Sequence, residues 1–461
     1  MKYNAIVIGA GQSGPFIAAK LAGEGKTVAL VEGAKIGGSC VNYGCIPTKT
    51  LIASARAIYM AGRGDEYGFS TGPITVNFER VMERMNVRRS GAQEGMDGWM
   101  RNTENITVYD GYASFVGTED GHHQVQVNDE VISAPQVFIN TGAHAFIPSI
   151  DGIDTVDYLT NKDMLELTEV PEHLVILGGG YIGLEMGQAF RRFGAEVTII
   201  EARSRLVVRE DEDIAESVLE ILQAEDITVH TDSKATAVSQ DPNGIIHVAL
   251  DTPDGSAEVT GTHLLVAVGR KPSTDKLNLE SVGIETNERG YIITDEQLRT
   301  SVEGIWAVGD VNGRGAFTHT SYHDHEIVWD TINGIDRNVA DRNMAYAMYI
   351  DPPLGRVGMS ETEAKASGRN VLITTKPMDN IGRALEQGET FGLFKILVDA
   401  DTREFLGAAV LGYHGDDVVQ VVSYYMATGA TVDVMKNALP IHPTIAEFFP
   451  TLIGELSPLE S

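Results

Sequence analysis

The same strand–turn–helix–strand pattern occurs twice in this chain, and that repeat limits its fold more than any other feature. Residues 4–32 read as an apolar strand, Ala5-Ile6-Val7-Ile8, a turn carrying Gly9, Gly11 and Gly14, a helix, and a strand Val28–Val31 that runs into Glu32. Residues 173–201 repeat it: strand Leu174–Leu177, a turn carrying Gly178, Gly180 and Gly183, a helix, and strand Val197–Ile200 running into Glu201. In both copies the acid follows the first glycine by 23 residues. One G-x-G-x-x-G is weak evidence, because glycine turns are common. Two copies in the same context, each with its acid, identify two dinucleotide-binding modules. The glycines let backbone amides approach a pyrophosphate at a helix N-terminus, and the carboxylate accepts hydrogen bonds from a ribose diol.

Two such sites in one chain suggest electrons passing between two cofactors. Because the second module lies mid-chain, the first domain is expected to be interrupted and completed later. Leu264-Leu265-Val266-Ala267-Val268-Gly269-Arg270-Lys271-Pro272 reads as a strand closing the inserted domain, and Ile305–Val308 as a further strand running into Gly309-Asp310. From Met344 onward, strands such as Leu393–Val398 and Gly407–Leu411 alternate with helices, which suggests an α+β domain. Residues 121–130 read as a β-hairpin, and Glu210-Asp211-Glu212-Asp213 as a solvated helix start. The fold class is therefore α/β: two Rossmann-like domains, the second inserted in the first, plus a C-terminal α+β domain.

At 461 residues the chain is long enough for several domains. Lys and Arg total 35 against 65 Asp and Glu, so the net charge of −30 argues against nucleic acid and anionic membrane as partners. A high-salt habitat would favour the same surplus, and composition leaves that open. No apolar run approaches the roughly 18 residues that span a bilayer. The start superficially suggests a signal peptide, but its apolar run breaks into Gly9, Gly11 and Gly14 and reads better as a first strand, so a cytoplasmic location is expected. With only two cysteines, Cys40 and Cys45, no disulfide framework holds the fold, and a lone pair five apart points to chemistry.

The segment Gly37-Gly38-Ser39-Cys40-Val41-Asn42-Tyr43-Gly44-Cys45-Ile46-Pro47-Thr48-Lys49 resembles the redox-active segment of the pyridine nucleotide–disulfide oxidoreductases, which include lipoamide dehydrogenase, glutathione reductase and mercuric reductase. Ser39 stands where Thr is usual and keeps the hydroxyl. The resemblance implies a Cys40–Cys45 redox disulfide. Five residues of regular helix rise ~7.5 Å, beyond the ~7 Å Cα limit for a bridge, so a distorted helix start is required, and Gly44 supplies the freedom. A helix N-terminus also stabilises the thiolate that redox chemistry needs.

The likeness runs the length of the chain. It implies an FAD-binding domain over 1–150 and 271–343, an NAD(P)-binding domain over 151–270 and a dimerisation domain over 344–461. Thr141-Gly142 through Pro148 looks like the crossover from the first flavin segment, and Thr300 through Gly309-Asp310 like the second flavin signature, with Asp310 on the ribityl hydroxyls. Gly269 and Arg270 are counted with the cofactor-binding residues. His442-Pro443-Thr444-Ile445-Ala446-Glu447 resembles the signature in which the His, oriented by the Glu, is acid/base for the partner subunit's thiols. A homodimer and a cis His442–Pro443 bond follow from that likeness. Lys49 and Glu185 look like the ion pair beside the flavin, and Tyr181 like the aromatic gate that moves when nicotinamide binds.

The implied cycle takes hydride from NAD(P)H to the flavin and two electrons on to the disulfide. Cys45 would form the charge-transfer thiolate and Cys40 would exchange with substrate. Glu201 favours NADH, and Arg203 and Arg205 close behind leave NADPH open. The chain ends Ser457-Pro458-Leu459-Glu460-Ser461 without the cysteine pair of well-known mercuric reductases, and the first helix shows no basic residue suited to a glutathione carboxylate. The run Glu201 through Asp211 nevertheless resembles the mercuric-reductase-like branch, including its copper-reducing relatives. The expected acceptor is a metal ion of the Hg(II) or Cu(II) kind, or a small disulfide. Dihydrolipoyl dehydrogenase is the alternative, and an FAD-containing redox sensor without turnover the alternative of another class. No resident metal is expected; His319, His323 and His325 read as a polar helix start, although imidazoles also suit copper.

Overall fold

The computed structural model describes residues 1–460. They form two compact units: residues 1–50, 80–146 and 269–342, and residues 51–79, 147–268 and 343–460.

The first unit is built on a five-stranded parallel sheet in the order Ile305–Ala307, Gln136–Ile139, Ala5–Ile8, Val28–Glu32, Ile106–Asp110. Ala5–Ile8 is central and buried on both faces, so all four of its residues are apolar. The helix Gly14–Gly23, with Pro15 in its first turn, follows the glycine turn directly and packs Ile17, Ala18 and Leu21 beneath the sheet. Residues 113–134 form three antiparallel strands (Ala113–Glu119, His122–Val127, Glu130–Ala134), which contain the expected hairpin.

The second unit repeats the plan with the parallel order Thr228–His230, Glu196–Ile200, His173–Leu177, His263–Val266, Tyr158–Leu159. Helix Tyr181–Phe193 follows the second glycine turn and stops at Gly194, whose φ of +116° closes the last turn. The C-terminal part is a six-stranded antiparallel sheet with helix Gly415–Thr428 packed on it. Its central strands, Leu393–Asp399 and Phe405–Leu411, are buried throughout, and Phe394 meets Phe449 edge to face at 4.7 Å.

Two local expectations are corrected. The run 264–272 is not one strand. His263–Val266 ends in the parallel sheet, the chain turns at Gly269 (φ +144°), and Arg270–Pro272 pairs antiparallel with Ala143–Ala145. Nor is Glu210–Asp213 a solvated helix start. The helix begins at Glu212, while Glu210 and Asp211 are 2 % and 4 % exposed. Both carboxylates bind the buried Arg356, at 2.6 and 2.8 Å. An acidic run reads as surface until the partner that neutralises it, some 146 residues later, is brought to it.

Candidate active site

Each glycine turn lies where its sheet changes winding direction, outside the carboxyl ends of the strands, the usual ligand crevice of such sheets. At Gly9 (φ +99°) a Cβ would stand 2.3 Å from the Asn140 carbonyl at the end of the adjacent strand, and at Gly178 (φ +109°) 2.6 Å from that of Ala267. The third glycines, Gly14 and Gly183, would each drive a Cβ to 2.2 Å from the carbonyl of the first. These are the close backbone approaches that the fingerprint exists to permit. Gly180, by contrast, faces open space, leaving a cradle beside a helix N-terminus.

The two acids are held alike. Glu32 accepts from the backbone N–H of Ala10 at 2.7 Å and of Ala34 at 2.8 Å. Glu201 accepts from Gly179 at 2.7 Å and Arg203 at 2.8 Å. Burial raises the Glu32 pKa above the ordinary carboxylate value, against the pull of those N–H groups. A carboxylate has about four lone-pair sites, so both acids keep acceptor capacity for a diol.

In the first unit the remaining predicted groups also suit a flavin dinucleotide. Thr141 Oγ1 and Arg270 Nε are buried without a hydrogen-bond partner, and Gly142 turns the chain there at φ +66°. Arg270 Nη2 lies 3.6 Å from Asp310 Oδ2, and burial raises the Asp310 pKa while Arg270 opposes the rise. Gly309 (φ +73°) donates its N–H to Asp324 Oδ2 at 2.8 Å, and Asn312 donates to the same oxygen at 3.0 Å. A glycine cradle, a ribose acceptor, a half-buried carboxyl and two orphaned donors fit FAD.

Cys40 lies in the short helix Gly38–Asn42 and Cys45 opens the helix Cys45–Gly62. The helical path breaks between them at Tyr43 (φ −142°), with Gly44 so close to Ser39 that a Cβ would stand 3.0 Å from its carbonyl oxygen. The two sulfurs are unbridged and within hydrogen-bonding reach, and they are not equivalent. The Cys40 thiol donates to Cys45, which, with the Thr318 hydroxyl and the Lys49 ammonium, lowers the Cys45 pKa to about 6 in spite of burial. The same coupling, with burial, pushes Cys40 up. Thr318 Oγ1 is 3.0 Å from Cys45 Sγ and is the first residue of helix Thr318–Ile332, so a helix N-terminus points to the same sulfur.

In the second unit Tyr181 starts its helix and donates to Glu210 Oε1 at 2.6 Å. Glu185, one turn on, is buried and accepts from the Tyr349 N–H at 2.8 Å. His442 Nδ1 lies 2.9 Å from Glu447 Oε2, the imidazole is 82 % exposed, and the His442–Pro443 peptide is cis. The histidines near residue 320 do not converge. His323 faces guanidinium donors of Arg337 and Arg342 at 2.8 and 3.2 Å, His325 Nδ1 bonds the Tyr322 carbonyl, and His319 stacks on Phe317. Sequence reasoning missed Thr318 and Asp324. The only hint for Asp324 was its place between two histidines that drew attention instead.

A family model described as pyridine nucleotide-disulphide oxidoreductase matches residues 3–324, and one described as the dimerisation domain of that family matches 344–453. The chain is 35 % identical over 453 residues to the probable pyridine nucleotide-disulfide oxidoreductase RclA of Escherichia coli K12, covering 97 % of both chains. It is 35 % identical over 455 residues to a mercuric reductase of Streptomyces lividans, covering 96 % of this chain and 94 % of the relative. Among solved structures, the Cu(II) complex of the HOCl-induced flavoprotein disulfide reductase RclA from Escherichia coli matches with a TM-score of 0.87 at 34 % identity, over 98 % and 99 % of the two chains. Among the described residues, no helix is long and apolar enough to cross a membrane.

Proposed function

This chain belongs to the pyridine nucleotide–disulphide oxidoreductase family and is an FAD-dependent oxidoreductase, and from that premise we propose that it reduces a thiophilic metal ion, Cu(II) or Hg(II), through Cys40 and Cys45. The unequal pair of sulfurs carries this reading: one is poised as a thiolate at neutral pH, and the other keeps its proton. The printed descriptions of the relatives, a mercuric reductase and a Cu(II)-complexed reductase, support the choice of acceptor.

FAD, when bound, supplies the two-electron relay between the nicotinamide and the disulfide. We assign it to 1–150 and 271–343, with the turn at Gly9, Gly11 and Gly14 on the pyrophosphate, Glu32 on the ribose, and Thr141, Gly142, Gly309 and Asp310 along the rest; Gly269 and Arg270 end the nucleotide-binding insert, with Arg270 beside Asp310. The nicotinamide nucleotide is assigned to 151–270, with Gly178, Gly180 and Gly183 on its phosphates and Tyr181 as the gate. Glu201 accepts from a 2′-hydroxyl and repels a 2′-phosphate, so NADH is the preferred donor. Lys49 and Glu185 carry the charges that tune hydride transfer.

Two electrons and two protons convert the Cys40–Cys45 disulfide to a dithiol. Oxidation of that dithiol by two Cu(II) restores the disulfide, forms two Cu(I) and releases two protons; one Hg(II) taking both electrons leaves Hg(0). His442, oriented by Glu447, moves the proton of the exchanging sulfur on the partner subunit, and residues 344–461 form the homodimer that this requires. A cytoplasmic location suits a dithiol that must stay reducible.

NADH consumption by the holoenzyme with Cu(II), Hg(II), lipoamide and glutathione disulfide tests the proposal. Turnover with the metals above the disulfides is expected. Lipoamide turnover far above both metals would make the chain a dihydrolipoyl dehydrogenase, and no turnover with any acceptor would leave a redox sensor.

A further inference from the structure

In the first unit, the two loops assigned to FAD leave the same end of the sheet, from the strands on either side of Gln136–Ile139. Ala5–Ile8 is its neighbour on one side and runs into Gly9; Ile305–Ala307 is its neighbour on the other and runs through Val308 into Gly309. Asn140 stands between the loops at the end of the middle strand. Its N–H donates to the Ile8 carbonyl at 2.7 Å, and the Val308 N–H donates to the Ile139 carbonyl at 2.9 Å.

The Asn140 side chain, in a residue only 6 % exposed, reaches both loops. Nδ2 donates to the Gly9 carbonyl at 3.2 Å. A Cβ added at Gly11 or Gly14 would stand 3.1 or 3.0 Å from Nδ2, and one added at Gly309 would stand 3.0 Å from Oδ1. The carboxamide therefore lies against the glycine turn with its nitrogen and against Gly309 with its oxygen. The opposite orientation would set two carbonyl oxygens against each other at Gly9, so the nitrogen belongs on the turn.

The second module shows that a glycine turn does not need this amide. Ala267 holds the equivalent place there: its N–H donates to the Leu177 carbonyl at 2.8 Å, and its own carbonyl is what a Cβ at Gly178 would strike, as that of Asn140 is at Gly9. Ala267 has no polar side chain, and nothing lies within 4 Å of a Cβ at Gly180, where the first module has the carboxamide facing Gly11. What differs is the far neighbour of the strand. His263–Val266 has Tyr158–Leu159 on that side, to which no cofactor residue is assigned, whereas Gln136–Ile139 has the strand leading to Gly309 and Asp310. A buried carboxamide is unfavourable unless its polar atoms are used, so its use belongs to what the first module alone has, a second cofactor loop alongside.

We propose that Asn140 is a positioning residue for FAD, a strut whose Nδ2 fixes the Gly9 carbonyl and whose Oδ1 bears on Gly309, holding the pyrophosphate loop and the loop before Asp310 at one spacing. This rests on reading the first module as the FAD site. Asn140 acts through the two loops and needs no contact of its own with the cofactor.

Two substitutions separate the donor from the space it fills. Asn140→Asp keeps the outline of the side chain and sets a carboxylate against the Gly9 carbonyl and near the anionic pyrophosphate. Asn140→Ala copies the residue that the second module carries. The FAD dissociation constant is measured by serial dilution and ultrafiltration of the holoenzyme, with free flavin read by its fluorescence in the filtrate, at a temperature where circular dichroism shows the fold intact. The Ala variant should hold FAD about three- to tenfold more weakly, the loss of one hydrogen bond between neutral groups. The Asp variant should hold it about a hundredfold more weakly, because acceptors are left facing each other in a buried place.

A side chain that merely fills space gives the reverse order, with Asp near wild type and Ala the weaker, and that result overturns the strut. An Ala variant that holds FAD as tightly as wild type overturns it as well, and decides alone if the Asp variant does not fold. Gly14→Ala separates this from failure of the underlying reading. If it leaves FAD affinity intact, the first turn is not the FAD cradle. If it abolishes binding while both Asn140 variants bind as wild type does, only the strut falls.

Discussion

Thr318 is the most economical place to test the asymmetry of the two sulfurs. The Cys45 thiol is lowered to about 6 chiefly by the Cys40 thiol, with burial opposing, and next by the Thr318 hydroxyl at 3.0 Å, then Lys49. Thr318→Val keeps the β-branched shape at the first position of its helix and removes only the hydroxyl. A hydrogen bond to a charged group contributes roughly 1.5–3 kcal/mol, and 1.36 kcal/mol corresponds to one pKa unit, so the apparent pKa should rise by about 1–2. At pH 7 a thiol near 6 is about 90 % ionised, and one near 7.5 about 25 %. The sign follows: a depressed pKa keeps the thiolate down to lower pH, and loss of the donor moves its formation upward. The assay is alkylation of the dithiol-reduced protein with iodoacetamide between pH 5 and 9, with the modified cysteine located by peptide mapping. Wild type should reach its plateau for Cys45 near pH 7, and the variant about 1–2 pH units later. An unchanged profile would show that Thr318 does not support the thiolate and that the neighbouring thiol and Lys49 lower its pKa without it.

Gly14→Ala should abolish retention of FAD, read as the ratio of absorbance at 450 and 280 nm after purification, because the new Cβ would stand 2.2 Å from the Gly9 carbonyl. Gly23→Ala, at the exposed end of the same helix with nothing within 4 Å of the added atom, should keep the flavin and be at least as stable as wild type. Leu439 and Ile441 are 96 % and 78 % exposed in the protomer, beside His442, so Leu439→Asp with Ile441→Asp should yield monomers by light scattering, at about 1.5–3 kcal/mol lost per apolar side chain. A dimer of unaltered stability would place the interface elsewhere and remove the reason for His442 to reach a partner's thiols.

What could be read from the sequence was whatever depends on spacing. The third glycines are required by the carbonyl of their own turn, five residues back, and the two acids lie where strand and helix lengths put them. The cysteines sit on either side of the glycine that breaks a helix. Thr318 and the burial of Glu210 could not be read, because their partners are 273 and 146 residues away. Four consecutive acids have the pattern of a solvated helix start, and nothing local indicates that Arg356 will neutralise two of them. Asp324 is a similar case. Its work is to accept the Gly309 N–H at 2.8 Å and so shape the loop before Asp310, a role visible only once the helix containing it lies against that loop.

The two modules share their glycines and acids down to matching hydrogen bonds, so whatever distinguishes their nucleotides must lie elsewhere. One such difference is at the residue after the middle glycine. In the first module that residue is Gln12, whose amide donates to the Gly37 carbonyl at 3.0 Å and is thereby drawn onto the segment leading to the cysteines. In the second it is Tyr181, a larger and flatter side chain whose phenol donates to Glu210 Oε1 at 2.6 Å. Evolution of one module into the other's role would thus need little change at the glycines, and the first substitution to examine is at position 181.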